Sequence, residues 1–269
     1  MLRIAVIGGG DVATGIAYRL FAAGLPPLVT ELERPLVVRR TVSFAQAVLG
    51  GRCRVEGVEA RRCADLAEAD ICLRRREAVP VLVDPALAQV RAWRPHVVVD
   101  GRMAKSPSLV HRGEGSYVIG VGPGCAAGDD VDIVVESLRG HRLGHLIRSG
   151  PAAADTGEPE LVRGIGKPRV LRAPADGIFS TVHDVGEHVD AGDVVARVGG
   201  DQVRAEIGGC LRGLLNDGTA VARGLKVGDI DPRDDPAYCH VISDRALAIG
   251  GAVLEAVCAF WLGAGAGPG

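Results

Sequence analysis

Residues 2–31 read LRIAVIGGGDVATGIAYRLFAAGLPPLVTE, and the fold expectation rests on this stretch. The apolar run 2–7 stops at Gly8, as a strand buried on both faces does. Residues 11–23 then place Val12, Ile16, Leu20 and Ala23 at helical spacing, and Gly24 supplies a helix stop. Residues 28–31 read as a second strand. Strand, glycine turn, helix and strand make a βαβ unit of the Rossmann type, with Gly8, Gly10 and Ala13 standing as G-x-G-x-x-A. In such a unit Gly8 permits the tight turn, Gly10 lets the backbone approach a pyrophosphate, and Ala13 lets helix and sheet pack closely. The free N–H groups at the helix start favour phosphate. Glu31 ends the second strand, where an acid accepts bonds from a ribose hydroxyl. Asp11 would repel phosphates, so a capping role suits it better. Thr14 belongs to the same first turn and joins the candidate binding set. Arg39 and Arg40 either reach a 2′-phosphate or another phosphate, or begin a solvated helix.

Downstream, strands alternate with helices to about residue 121, which predicts a parallel or mostly parallel sheet. Ligands of open α/β sheets bind at the C-terminal ends of the strands, so the turns there matter most. They are Asp84-Pro85, DGRMAK at 100–105 and GVGPGCAAG at 120–128. Lys105 is one of few lysines in an arginine-rich chain; it can neutralise a phosphate or act as a base if desolvated. Asp100 stands beside it as a proton carrier. Cys125 reads either as a thiolate for sulfur transfer or as a small buried thiol. With Cys239 these residues complete the catalytic candidates: Lys105, Asp100, Cys125 and Cys239. No metal site is assigned. His141 and His145 have i, i+4 spacing, but Gly140 and Gly144 argue against a helix there. Asp229, Asp231, Asp234 and Asp235 with Cys239 and His240 read mostly as turn chemistry.

Near residue 125 the texture changes. The sequence reading divides the chain into 1–125, a Rossmann-like nucleotide-binding domain; 126–168, connecting strands and linker; 169–231, a small all-β domain; and 232–269, a segment with a helix over 244–262. In the all-β part, turn signals recur at the spacing of a barrel or sandwich. APADGIFSTVHDVGEHVDAGDVV is echoed weakly by EIGGCLRGLLNDGTAVARGLKVG. Two such halves resemble the biotinyl/lipoyl-like barrel-sandwich. The hairpin between them, Gly199-Gly200-Asp201-Gln202, lacks the lysine of a swinging-arm carrier. The expected fold class is therefore α/β: a Rossmann-like, mostly parallel sheet, then a barrel-sandwich domain and a C-terminal helix.

Composition narrows the function classes. Hydrophobic residues make up 47% and aromatics 3%, so the core is built from Val, Ala, Leu and Ile. The net charge of -2 gives no basic footprint for nucleic acid. Seven cysteines without a CxxC pair argue against a disulfide framework and a structural zinc site. A first strand starting at Leu2 leaves no room for a signal peptide, and a cytoplasmic location is expected. Residues 246–267 have the length of a membrane span, but Glu255 and the glycines Gly250, Gly251, Gly263 and Gly265 favour a helix buried on the core.

Longer blocks match a family. IGGGDVATGIAYRL, TELERPLVVRRTVSFAQAV, VPVLVDP, VVVDGRMAKS, VIGVGPGCAAGDDVDIVVESLRGHRLG, RVLRAPADGIF, GLKVGDIDPR and CHVISDRALAIGGAVLEAV together resemble the YqeB-type accessory proteins of selenium-dependent molybdenum hydroxylases. The first half is also similar to XdhC-type chaperones. The resemblance implies a maturation factor. Its cofactor would be molybdenum cofactor, as a molybdopterin nucleotide, and its partner the hydroxylase apo-enzyme, docked through the β domain. Cys125 stands where the family pattern has Phe, and Arg245 where it has Lys. Residues 155–160 (DTGEPE) depart from its NTGxPG. The first departure weakens a shared sulfur role for Cys125.

The functional expectation is an accessory factor that binds a small nucleotide-bearing ligand at Gly8, Gly10 and Glu31, with no nucleic acid or membrane partner. A homo-oligomer is compatible with it. The alternatives are an NAD(P)-dependent oxidoreductase and a non-catalytic scaffold with a vestigial pocket. The chain lacks a Tyr-x-x-x-Lys or His–carboxylate arrangement at the strand ends, which disfavours hydride transfer.

Overall fold

The computed structural model describes residues 2–104 and 108–263. The chain divides into two compact units. The first holds residues 1–35, 44–155 and 242–269; the second holds 36–43 and 156–241.

The first unit carries β1 (Ile4–Ile7), α1 (Asp11–Ala22), β2 (Leu28–Glu31), α2 (Gln46–Gly50), β3 (Arg52–Val55), β4 (Val58–Cys63), α3 (Leu66–Arg75), β5 (Val79–Val83), α4 (Ala88–Trp93), β6 (Val97–Asp100) and β7 (Tyr117–Val121). Short strands β8 (Ala126–Ala127), β9 (Ile133–Val135), β10 (Leu146–Ile147) and β11 (Gly150–Pro151) follow, and α5 (Asp244–Trp261) returns to the same unit. Nine strands form one sheet in the order β10-β9-β7-β6-β1-β2-β5-β4-β3. All four residues of β1 are buried, because helices and loops cover both faces of a central parallel strand.

The second unit carries β12 (Val170–Arg172), β13 (Gly177–Thr181), β14 (His188–Val189), β15 (Val194–Val198), β16 (Asp201–Arg204), β17 (Gly209–Leu214), β18 (Ala220–Val221) and β19 (Lys226–Asp231). They form two antiparallel four-stranded sheets, β12-β19-β17-β14 and β16-β15-β13-β18. Phe179, Val195, Leu211 and Ile230 are fully buried in their core.

The fold-class expectation is corrected on two counts. The large sheet is mixed rather than Rossmann-like, since antiparallel β3 and β10 flank its parallel strands at the two edges. At one edge the β3–β4 hairpin turns at Glu56 (φ 44) and Gly57 (φ 83), the left-handed pair that a two-residue hairpin loop requires. The β-rich part closes no barrel among the described residues: its strands make two separate four-stranded sheets. Edge strands β14 and β18 are two residues long, and register shifts interrupt β12–β19, β15–β16 and β17–β19. Such short and bulged edges end the ladders instead of continuing them around a barrel.

Helix α5 starts at Ser243, whose side chain accepts from the Ala246 amide, with Asp244 in the first turn. It packs on α1 through small residues. A Cβ built on Gly15 would lie 2.7 Å from the Ala246 carbonyl oxygen, and one on Gly250 would lie 2.5 Å from that of Gly15. The backbones can approach this closely only because neither position has a side chain. No described helix is long and apolar enough to cross a membrane.

We expect Gly15→Ala or Gly250→Ala to destabilise the protein by about 1–3 kcal/mol in urea unfolding, because backbone must move to admit the methyl. Gly251→Ala lies on the same helix with nothing within 4 Å of its added Cβ. It should instead stabilise by about 0.5–1 kcal/mol. Equal effects at Gly15 and Gly251 would rule out the steric account.

Candidate functional site

Strand β1 lies between the parallel strands β2 and β6. In open α/β sheets ligands bind outside the carboxyl ends of such strands. Register pairs Ile7 with Thr30 and with Asp100, which brings Gly8, Glu31 and Gly101 to one rim. Gly8 has φ +90 and donates to the Thr30 carbonyl at 2.9 Å. Its conformation is one an L side chain rarely adopts.

The next two residues are held from several directions. Gly9 N–H donates to Glu31 Oε1 at 3.2 Å, and the Leu32 amide donates to the other carboxylate oxygen. The Gly9 carbonyl accepts from the Ala45 amide at 2.9 Å and from Thr14 Oγ1 at 3.1 Å. Thr14 Oγ1 in turn accepts from the Phe44 amide at 2.8 Å. Burial pushes the Glu31 carboxyl above its ordinary value, against the lowering effect of its two amide donors. Gly10 stands at the N-cap of α1 with extended backbone (φ -66, ψ -179), and no side chain caps that end. Asp11 lies in the first turn, and Ala13 is buried against Gly101.

Asp100 ends β6 and is 4% exposed. Arg102 grips it with Nε–Oδ1 at 2.8 Å and Nη2–Oδ2 at 2.7 Å. The Arg102 side chain lies over the glycine turn: a Cβ on Gly8 would meet its Cγ at 3.2 Å. The hydrogen bonds to Asp100 raise the guanidinium pKa further, so this cation is permanent. Cys125 belongs to the same rim. A Cβ on Gly120 would come within 2.9 Å of the Cys125 Cβ, so the loop after β7 folds back onto its strand. Burial pushes the Cys125 thiol up and the Asp100 charge adds to this, which favours a protonated sulfur.

Of the residues singled out from sequence, Gly8, Gly10, Asp11, Ala13, Thr14, Glu31, Asp100 and Cys125 thus belong to the first unit and line or support one rim. Lys105 lies outside the described residues. Arg39, Arg40 and Cys239 belong to the second unit. Arg39 donates to the carbonyls of Tyr238 (2.8 Å) and Val241 (3.2 Å). Arg40 donates to the Leu215 carbonyl at 3.2 Å and pairs with Asp184. Sequence reasoning missed Arg102, although it stands two residues past Asp100 in the turn that was read for Lys105.

The second unit has its own ionic cluster. Asp229 and Asp231 lie buried on β19. Asp229 pairs with Arg169 and Arg212, and Lys226 approaches to 3.8 Å. Asp231 accepts from Arg233 Nε at 2.9 Å and from Arg212 Nη1 at 3.4 Å. Burial alone would raise both carboxyls. The cations outweigh it, Lys226, Arg212 and Arg169 for Asp229 and chiefly Arg233 for Asp231, and both pKa values fall below the ordinary range. These acids therefore work as charged structural pins.

The chain resembles YqeB of Escherichia coli. Over 254 residues it is 45% identical to that relative, named "Uncharacterized protein YqeB" (strain K12), covering 94% of this chain and 47% of the relative. The chain thus spans about half the length of the curated relative it matches. No family model matches. Among solved structures, an aspartoacylase family protein from Mesorhizobium loti aligns with 13% identity and a TM-score of 0.25, covering 86% of this chain and 85% of that one. A succinylglutamate desuccinylase from Silicibacter sp. TM1040 aligns with 14% identity and a TM-score of 0.25, covering 85% and 84%.

A carboxylate whose pKa is lower folded than unfolded stabilises the fold above the unfolded pKa, and that contribution is lost as the pH falls. Stability should therefore drop as the pH passes below about 4. Asp229→Asn leaves Arg169 and Arg212 without their buried counter-charge and should cost about 3–5 kcal/mol at neutral pH. Urea unfolding across a pH series checks both points. An acid dependence unchanged in the variant would remove Asp229 from this account.

Proposed function

We propose that the first unit binds a small nucleotide-bearing ligand at the turn between β1 and α1. We further propose that the protein is an accessory factor holding such a cofactor, a molybdopterin nucleotide, for maturation of a selenium-dependent molybdenum hydroxylase. The observation that carries the reading is the uncapped N-terminus of α1, with the Arg102 side chain packed on the adjoining Gly8 turn. A helix of this length leaves its first amides and the positive end of its dipole for a phosphate. Arg102 spends Nε and Nη2 on Asp100. Among the described residues Nη1 has no partner, which suits it to a second anion. Glu31 sits at the adjoining strand end, where its carboxylate can accept from a sugar hydroxyl.

The rim therefore fits the nucleotide moiety of such a cofactor. The amides of residues 11–13 and Arg102 would hold phosphate, and Glu31 would hold ribose. When bound, the group would supply the redox chemistry, which the hydroxylase would use. The residues of this rim do not favour hydride transfer by the protein itself, since Asp100 is locked to Arg102 and Cys125 is protonated. The resemblance of the long sequence blocks supports the hydroxylase partner; the relative's printed name assigns no activity.

Thermal unfolding with NAD, NADP, CTP, ATP and isolated molybdenum cofactor tests the reading. A ligand at about 100 times its Kd should stabilise the protein by about 2.7 kcal/mol. Gly10→Val should fold, because extended backbone at this position accepts any residue. It should lose the ligand-induced shift, because its side chain would occupy the phosphate position. An absence of any shift, or an undiminished shift in Gly10→Val, would overturn the nucleotide site. Turnover with NAD or NADP would overturn the accessory role.

A further inference from the structure

Two buried cysteines of the second unit meet outside this site. Cys210 stands on β17, and Cys239 closes the 3-10 turn Pro236–Cys239. Their Sγ atoms are 3.6 Å apart, and the residues are 1% and 0% exposed. A disulfide has an S–S length of about 2.05 Å, so each sulfur need move only about 0.8 Å to form one.

The turn that carries Cys239 is an anchoring point. Its Tyr238 carbonyl and the nearby Val241 carbonyl accept from Arg39, and the Cys239 carbonyl accepts from Thr41. This short surface turn, with Tyr238 and Val241 partly exposed, therefore holds the 36–43 segment. A four-residue 3-10 turn lifts far more easily than a sheet opens, and lifting it is the route by which a small oxidant reaches the sulfurs.

We propose that Cys210 and Cys239 are a redox modification site, oxidised by a peroxide to a disulfide that fastens the 236–241 turn, and with it the 36–43 segment, to β17. The two sulfurs are not equivalent. Burial raises both thiols. Cys239 stands above the ordinary thiol value, pushed up by burial and the Asp231 charge, although the Cys210 thiol and the cations Arg39 and Arg212 work against that rise. Cys210 is pushed up to about 12. Cys239 is accordingly the nucleophile. Its thiolate attacks one peroxide oxygen, the O–O bond breaks, and hydroxide leaves, giving a sulfenic acid. The Cys210 sulfur then attacks Cys239 Sγ, the S–O bond breaks, and water leaves with the Cys210 proton. Two thiols are oxidised and one peroxide is reduced to two waters.

Hydrogen peroxide treatment of the full chain, followed by non-reducing peptide mapping, tests the site. The expected result is a Cys210–Cys239 cross-linked peptide lighter by about 2 Da than the two thiol peptides together, and released by dithiothreitol. Amide exchange over residues 237–241 should slow about tenfold in the oxidised protein. In Cys210→Ser the cross-link should be absent and Cys239 should be recovered as a sulfenic acid adduct with dimedone. Cys63 and Cys72, both buried in the core of the first unit, provide an internal comparison. A cross-link confined to that pair would overturn the assignment. So would recovery of Cys210 and Cys239 as free thiols after the part-exposed Cys53 and Cys258 have been oxidised. A cross-link that leaves amide exchange unchanged would overturn the fastening role.

Discussion

The hydroxyl of Thr14 is the interaction on which the first unit's rim depends. It donates to the Gly9 carbonyl and accepts from the Phe44 amide, and the residue is fully buried. One oxygen thus joins the glycine turn, the first turn of α1 and the chain returning at residue 44. The Ala45 amide adds a second bond to the same Gly9 carbonyl. These bonds leave Gly9 no freedom to rotate its peptides, and its amide is aimed at Glu31. A turn secured in this way presents the start of α1 in one fixed orientation. Preorganisation of that kind saves a ligand the cost of ordering the loop.

Charge is treated differently in the two units. In the second, Asp229 and Asp231 are surrounded by arginines whose donors are spent on them, so carboxylate and guanidinium hold each other in place. Such clusters gain little against hydrophobic replacement but fix geometry, and breaking them is expensive. In the first unit, Glu31 is partly buried with amide donors, and its carboxyl rises. A carboxyl held above its ordinary value beside an uncapped helix start suits a site that exchanges partners. The lowered acids of β19 suit a framework that does not.

What was legible from the sequence follows from the range of the interactions involved. The glycine turn, α1 and the Ser243-Asp244 start of α5 are local, and apolar spacing with capping chemistry marks them. The β3–β4 hairpin was not legible. Arg52, Arg54, Arg61 and Arg62 interrupt its apolar alternation, and Glu56-Gly57 is a weaker turn signal than Asn-Gly. The barrel expectation failed because a repeat of strands and turns does not specify closure; that depends on edge pairings far apart in sequence. Arg39 and Arg40 looked like phosphate ligands by proximity to Glu31. Their hydrogen-bond partners lie 144 to 202 residues away in sequence, where no local pattern reaches.

Arg102 shows why the same rim favours holding over reacting. A general base must give up its existing proton partner at low cost, with a pKa near the working pH. Asp100 is buried and gripped through both oxygens by a permanent cation, so protonating it would strand the guanidinium. A thiol nucleophile must ionise, and Cys125 lies buried with the Asp100 charge nearby. Neither group is poised for proton or sulfur transfer. What the rim does hold ready is a backbone amide cluster and a guanidinium with one nitrogen uncommitted among the described residues, and groups of that kind suit the proposed phosphate without transforming it. Binding without turnover is what the proposed accessory role requires.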